Sequence, residues 1–171
     1  QRMYALNILL HILGVGMNSR LFIEVRERRG LAYMVRTDWN YYRDVGSAQI
    51  QAGLDPARLS EALKVIVQEI NKIANEKVSA RELKDAKSSF VGRMTLAAED
   101  SSVMADWFAK QFWFNDKIKT REEVFRKLKA VTTSEVQKVA KQLFRMDQIR
   151  LAVIGDVKKE KIISYIQKYE R

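Results

Sequence analysis

A chain of 171 residues suits one domain, or one compact domain with an appended subdomain, and is long enough to bury roughly two-thirds of its unfolded surface. With 47% hydrophobic and 30% charged residues the composition is that of an ordinary soluble protein. The absence of cysteine excludes disulfides, thiolate metal sites and cysteine nucleophiles, and the absence of any run of about twenty apolar residues excludes a spanning helix. The net charge of +10 is spread along the chain and is not interleaved with aromatics, so it reads as a basic solvated surface that attracts acidic partners, not as a nucleic-acid module, and neither a nucleic-acid nor a membrane partner is expected.

In chain order, Tyr4 to Leu13 places Ala5, Ile8, Leu9, Ile12 and Leu13 on one helical stripe. Gly14 and Gly16 break it in the loop GVGMN. A short helix follows from Ser19, with Leu21, Phe22 and Val25 inward, and Gly30 ends it. From Tyr33 the period changes to two: Tyr33, Val35, Thr37, Trp39 and Tyr41 point one way, Met34, Arg36, Asp38 and Asn40 the other. A turn over Arg43, Asp44, Val45 and Gly46 then leads to a second strand alternating through Ala48, Ile50, Ala52 and Leu54, which predicts a hairpin. Asp55-Pro56 opens a helix whose apolar face is Leu59, Leu63, Ile66, Val67, Ile70 and Ile73. Ser79 with Glu82, Thr120 with Glu123 and Thr132 with Glu135 match the capping box and start helices near residues 80, 121 and 133. Another helix runs from about Asp100 to Phe114, a short strand from Ile149 to Ile154, and a basic helix ends the chain. The order predicts an α+β fold: an antiparallel or mixed sheet, the late strand pairing with the early hairpin, covered on one face by several helices.

The inventory of chemistry is short. His11 is the only histidine, and neither H-x-x-E-H nor H-E-x-x-H occurs, so a hydrolytic zinc site with its roughly three protein ligands has no donors here. A serine triad lacks its base. The pairs Glu99-Asp100 and Glu122-Glu123 sit at helix starts, where they favour the dipole. GVGMN is not a phosphate fingerprint, though the helix after it can hold an anion or a peptide carboxylate. Trp107, Phe108, Phe112, Trp113 and Phe114 read as core, with an exposed part available to a partner. The stretch Ser19 to Tyr33, SRLFIEVRERRGLAY, stands out: Arg26 and Tyr33 straddle Gly30 and can converge to bind and polarise a carbonyl, though neither activates water. Two simpler assignments compete, Tyr33 in core phase with Val35 and Arg26 as one more surface arginine.

The segment NILLHILGVGMNSRLFIEVRERRGLAYMV and the hairpin ending DVGSAQIQAGLD resemble the C-terminal half of the pitrilysin/insulinase superfamily of zinc metallopeptidases, of the processing-peptidase type. The likeness continues through VSARELKDAKSSFVGRM, ADWFAKQ, AVTTSEVQKVAKQLF and LAVIGD, nearly the whole chain. It implies a zinc-free half-domain over residues 1–171, a piece of a longer chain in keeping with its abrupt start. The zinc and its H-x-x-E-H motif would lie on a partner half, on the same polypeptide or another subunit, in a possible homo- or hetero-dimer. By motif match Arg26 and Tyr33 bind peptide substrate, Tyr33 near the scissile bond where it stabilises the developing oxyanion. Gly14 and Gly16 belong to a substrate-binding glycine loop that in relatives often has three glycines before M-S-S-R-L; here Val15 replaces the middle one and Asn18 a serine. The chain alone is expected to be inactive, in a bacterial cytoplasm. A scaffold or interaction subunit of the same fold is the alternative.

Overall fold

The computed structural model describes residues 1–42, 44–114 and 117–167. Arg43, in the expected turn, lies outside them. The first element, α1 (Arg2–Gly14), is the centre of the molecule: Ala5, Ile8, Leu9, Leu10, Ile12 and Leu13 are all buried, as is His11. A helix apolar around its whole circumference has to be enclosed, and β1 (Ala32–Tyr41), α3 (Ala80–Ala97), α5 (Arg121–Lys129) and α6 (Thr133–Leu143) pack around it. Burial therefore extends beyond the stripe read from the sequence.

After the glycine loop the chain makes a π-helical segment (Phe22–Glu27), then β1 (Ala32–Tyr41) and β2 (Gly46–Leu54), an antiparallel hairpin in which Val35 faces Ala52 and Thr37 faces Ile50. Its inner face, with Val35 and Thr37 buried and Ile50, Ala52 and Leu54 packed on the core, lies on the helices. Thr37 Oγ1 donates to the Leu10 carbonyl at 2.8 Å, tying strand to central helix. Asp55 accepts from the Ala57 amide and opens a 3₁₀ turn that leads into α2 (Leu59–Asn75).

Helices α3 (Ala80–Ala97), α5 (Arg121–Lys129) and α6 (Thr133–Leu143) each begin with the capping box read from the sequence, both reciprocal hydrogen bonds present. Asp100 caps α4 (Ser101–Phe114) through the Ser102 amide and hydroxyl. A final helix, α7, spans Lys159–Gln167. The fold is α+β, mostly helical, with a two-stranded antiparallel sheet.

Two expectations are corrected. Ile149 to Ile154 forms no strand: the stretch pairs with neither β1 nor β2, and Leu151, Val153 and Ile154 are exposed. A short apolar run specifies an extended segment, but a strand also needs a neighbour in register, which is non-local. The aromatics of α4 are not core: Phe112 is 72% and Trp113 70% exposed, and Phe108 and Phe114 are also open. The buried residue of that helix is Gln111, which exchanges two hydrogen bonds with the Lys119 backbone and ties the end of α4 to the start of α5.

Candidate functional site

Arg26 sits in the π-helical segment, whose wider turn is seen mostly as a local insertion and often at functional sites. The segment is closed by Gly30 at φ +57°, with the Gly30 amide on the Arg26 carbonyl at 2.9 Å and the Leu31 amide on the Val25 carbonyl at 2.8 Å. These bonds pin the Arg26 backbone at the point where the chain reverses into β1. Leu21, Val25 and Leu31 are fully buried beneath it, so Arg26 rises from a rigid base.

Tyr33 reaches the same surface by a different device. Ala32 faces Leu54 while Met34 faces Gly53, so Tyr33 is an extra residue in the strand, a β-bulge. The bulge breaks the alternation. Val35 is 6% exposed, but Tyr33, which shares its parity, is 88% exposed. The expectation that the Tyr33 ring lies in core phase is thus overturned; a bulge re-aims one side chain, and the whole ring stands in solvent.

The structure brings the pair together. The Arg26 guanidinium carbon lies 5.8 Å from the centroid of the Tyr33 ring and 4.9 Å from that of Phe22, within cation–π range of both. Phe22, one helical turn before Arg26, is a member of the site that sequence reasoning placed only in the core; its i−4 spacing was the available signal. Arg26 has one loose carboxylate neighbour, Glu27, at 3.9 Å. Arg28 and Arg29 are instead both paired with Glu24. The Arg29 hydrogen bond, with the charge of both arginines, holds the Glu24 carboxyl below the usual carboxylate range. Arg26 is therefore the guanidinium of this cluster whose donors remain open to a ligand.

The glycine loop occupies a separate position. A Cβ on Gly14 would lie 2.5 Å from Thr37 Cγ2 and 2.8 Å from Thr37 N, so only glycine lets α1 close on β1 there. Gly16, at φ +88°, turns the chain, and Ser19, itself buried, binds the Gly16 carbonyl through its hydroxyl at 2.7 Å. Thr37 is four residues from Tyr33, or roughly 13 Å at strand rise. The loop meets β1 at its middle and the Arg26–Tyr33 pair lies at its start, so they are two places along one strand, not one cluster.

The residues present do not fit a zinc ion. Among the described residues no group of three or more His, Cys, Asp and Glu side chains converges. His11 is buried with Nε2 2.9 Å from Ser89 Oγ, against the edge of Phe90. Burial, aided by the charge of Arg93, pushes its pKa down to about 4. It is a neutral core histidine near pH 7. No described helix is long and apolar enough to cross a membrane.

A model of the peptidase M16 inactive domain family matches residues 1–90. An uncharacterized zinc protease of Mycobacterium tuberculosis is 34% identical over 140 residues, 82% of this chain and 32% of its own length. An uncharacterized zinc protease of Bacillus subtilis is 31% identical over 147 residues, 86% of this chain and 36% of its own. The chain therefore spans about a third of the length of these curated relatives. The crystal structure of a peptidase M16 inactive domain from Pseudomonas fluorescens superposes with a TM-score of 0.75 over 84% of this chain and 34% of that one, at 22% identity, a likeness of fold.

Proposed function

Because the chain belongs to the family of peptidase M16 inactive domains, we propose that it is the substrate-binding, zinc-free half of a zinc endopeptidase that cleaves peptides or unfolded protein segments. The zinc, held by an H-x-x-E-H half on the same polypeptide or on a partner subunit, would supply the activated water. This chain's part is to hold and polarise. The Arg26 guanidinium donates charge-assisted hydrogen bonds to backbone carbonyls of an extended peptide. The Tyr33 hydroxyl donates to the carbonyl oxygen of the scissile bond as it gains charge.

The observation that carries this reading is the convergence of Arg26 and Tyr33, 5.8 Å apart and both open to solvent, through a π-helical turn and a β-bulge that serve no packing need at those two side chains. The second reading, a scaffold or interaction subunit, is favoured by the exposed aromatic face of α4.

Joining the chain to the zinc-bearing half and measuring cleavage of an extended peptide separates the two. Arg26→Ala is expected to lower kcat/KM about tenfold, the loss of one charge-assisted hydrogen bond, and Tyr33→Phe about a hundredfold, the loss of one oxyanion donor. Equal activity in wild type and both variants would remove the site assignment and leave the scaffold.

A further inference from the structure

The turn that carries Arg26 is held by a residue from the far side of the hairpin. Beyond the Ala32–Leu54 pair the two arms of the hairpin diverge, one back into the Gly30 turn and the other on into the Pro56–Arg58 turn that opens α2. Arg58 bridges the fork: its Nη1 donates to the Arg29 carbonyl at 3.0 Å. Its other edge, Nε and Nη2, donates to one oxygen of Glu61 at 3.2 and 3.0 Å, which fixes the plane of the guanidinium. The Arg58 backbone is fixed as well, with its amide on the Asp55 carbonyl at 3.0 Å.

The carbonyl that Arg58 grips belongs to the Arg29–Gly30 peptide. The N–H at the other end of the same plane is the one that donates to the Arg26 carbonyl at 2.9 Å. One rigid plane thus links the Arg58 guanidinium to the Arg26 backbone. The link matters because residue 30 is glycine. Glycine permits φ +57°, but it adopts negative φ as readily, so it does not by itself keep the plane from turning over. A charge-assisted bond on the carbonyl does, and by polarising the peptide it strengthens the N–H as a donor. The nearer arginine, Arg29, is engaged elsewhere, on the carbonyl and the carboxylate of Glu24.

We infer that Arg58 is a positioning residue for the Arg26–Tyr33 site: by fixing the Arg29–Gly30 peptide plane it holds the Arg26 backbone where the guanidinium meets the Phe22 and Tyr33 rings and a bound peptide. The inference rests on the reading of Arg26 as the ligand of peptide carbonyls. Arg58 acts through the turn and not on the substrate. It and Glu61 are each about half exposed, and an exposed ion pair contributes little to stability, so the effect of Arg58 is on the turn and not on the fold.

The test uses the chain joined to the zinc-bearing half and has two readouts. The first is amide hydrogen exchange by NMR. Arg58→Ala is expected to speed exchange at Gly30 at least about tenfold, the loss of one charged hydrogen bond, and to leave Leu31, whose amide donates to Val25, within about twofold. Glu61→Gln, which keeps Arg58 but orients it less firmly, is expected to speed exchange at Gly30 about threefold. The second readout is peptide cleavage. Arg58→Ala is expected to raise KM about threefold with kcat within about twofold, because Arg26 holds the bound peptide. In an Arg26→Ala background the same change is expected to have no further effect. The melting temperature is expected to fall by no more than about 4 °C. An unchanged rate at Gly30, equal acceleration at Gly30 and Leu31, or the same rise in KM with and without Arg26 would overturn the inference. An unaltered kcat/KM in Arg26→Ala would instead count against the substrate-binding reading, and it is told apart because the Gly30 exchange rate does not depend on cleavage.

Discussion

At the scale of single residues, two positions answer to packing and one to solvent. Gly14 is required by contact: a methyl group there meets Thr37 backbone and side chain at 2.8 and 2.5 Å, and neither can retreat because Thr37 is hydrogen-bonded to Leu10. Gly14→Ala is expected to cost about 1–3 kcal/mol, the range for overpacking, as a lowered urea midpoint with unchanged slope. His11 is required to stay neutral. Its pKa, about 4 when folded against an ordinary 6.5, means that the unfolded chain binds the proton more readily. Stability is then fully present above pH 6.5 and falls as pH drops toward 4, by about 3 kcal/mol over that window. His11→Asn, which cannot titrate, should show a flatter dependence by urea denaturation between those pH values; identical slopes would contradict the assignment. Tyr33, by contrast, was not legible as an exposed residue. Its parity with Val35 pointed inward, and only a one-residue bulge, invisible to a period-two count, turned it out.

At the scale of elements, legibility follows locality. The capping boxes at Ser79, Thr120 and Thr132 are four-residue motifs in which each side chain satisfies a nearby amide, and all three were read from the sequence. Thr132→Ala is expected to cost about 1 kcal/mol, visible as a lowered thermal midpoint, because α6 packs on both α1 and α2 and its fraying opens the core. The turn at Gly30 was legible as a helix end, but the π geometry before it was not, since a 3.6-residue apolar period carries no signal for a one-residue insertion. Gly30→Ala places a side chain at φ +57°, a cost of about 1–2 kcal/mol. The same change strains the turn whose residue-30 amide holds the Arg26 carbonyl, so peptide cleavage by the joined halves should fall by more than the loss of folded protein accounts for. A fall equal to the unfolded fraction would show that the turn has no part in placing Arg26.

At the scale of the whole molecule, the sequence conveyed an α+β protein with helices over an antiparallel hairpin, but not the fate of two apolar segments. Ile149–Ile154 was expected as a strand of the sheet and the α4 aromatics as core with an exposed part, because apolar composition is a local signal while strand pairing and enclosure are not. Both lie open in a chain that spans about a third of the length of its relatives. If the α4 aromatics contribute nothing to the packing of this chain, Phe112→Ser and Trp113→Ser should each change unfolding free energy by no more than about 0.5 kcal/mol, the range for surface sites. A loss of several kcal/mol in chemical denaturation would return them to the core.

The central claim is that this chain supplies half of an active site at Arg26 and Tyr33. Its most direct test is kcat for the joined halves with Tyr33→Phe, taken beside the melting temperature of the same variant. Removal of a single hydroxyl from a ring 88% exposed leaves the fold untouched. The account therefore predicts an unchanged melting temperature, little change in KM and a fall in kcat of about a hundredfold. A kcat equal to that of the wild type, at the same melting temperature, would contradict it.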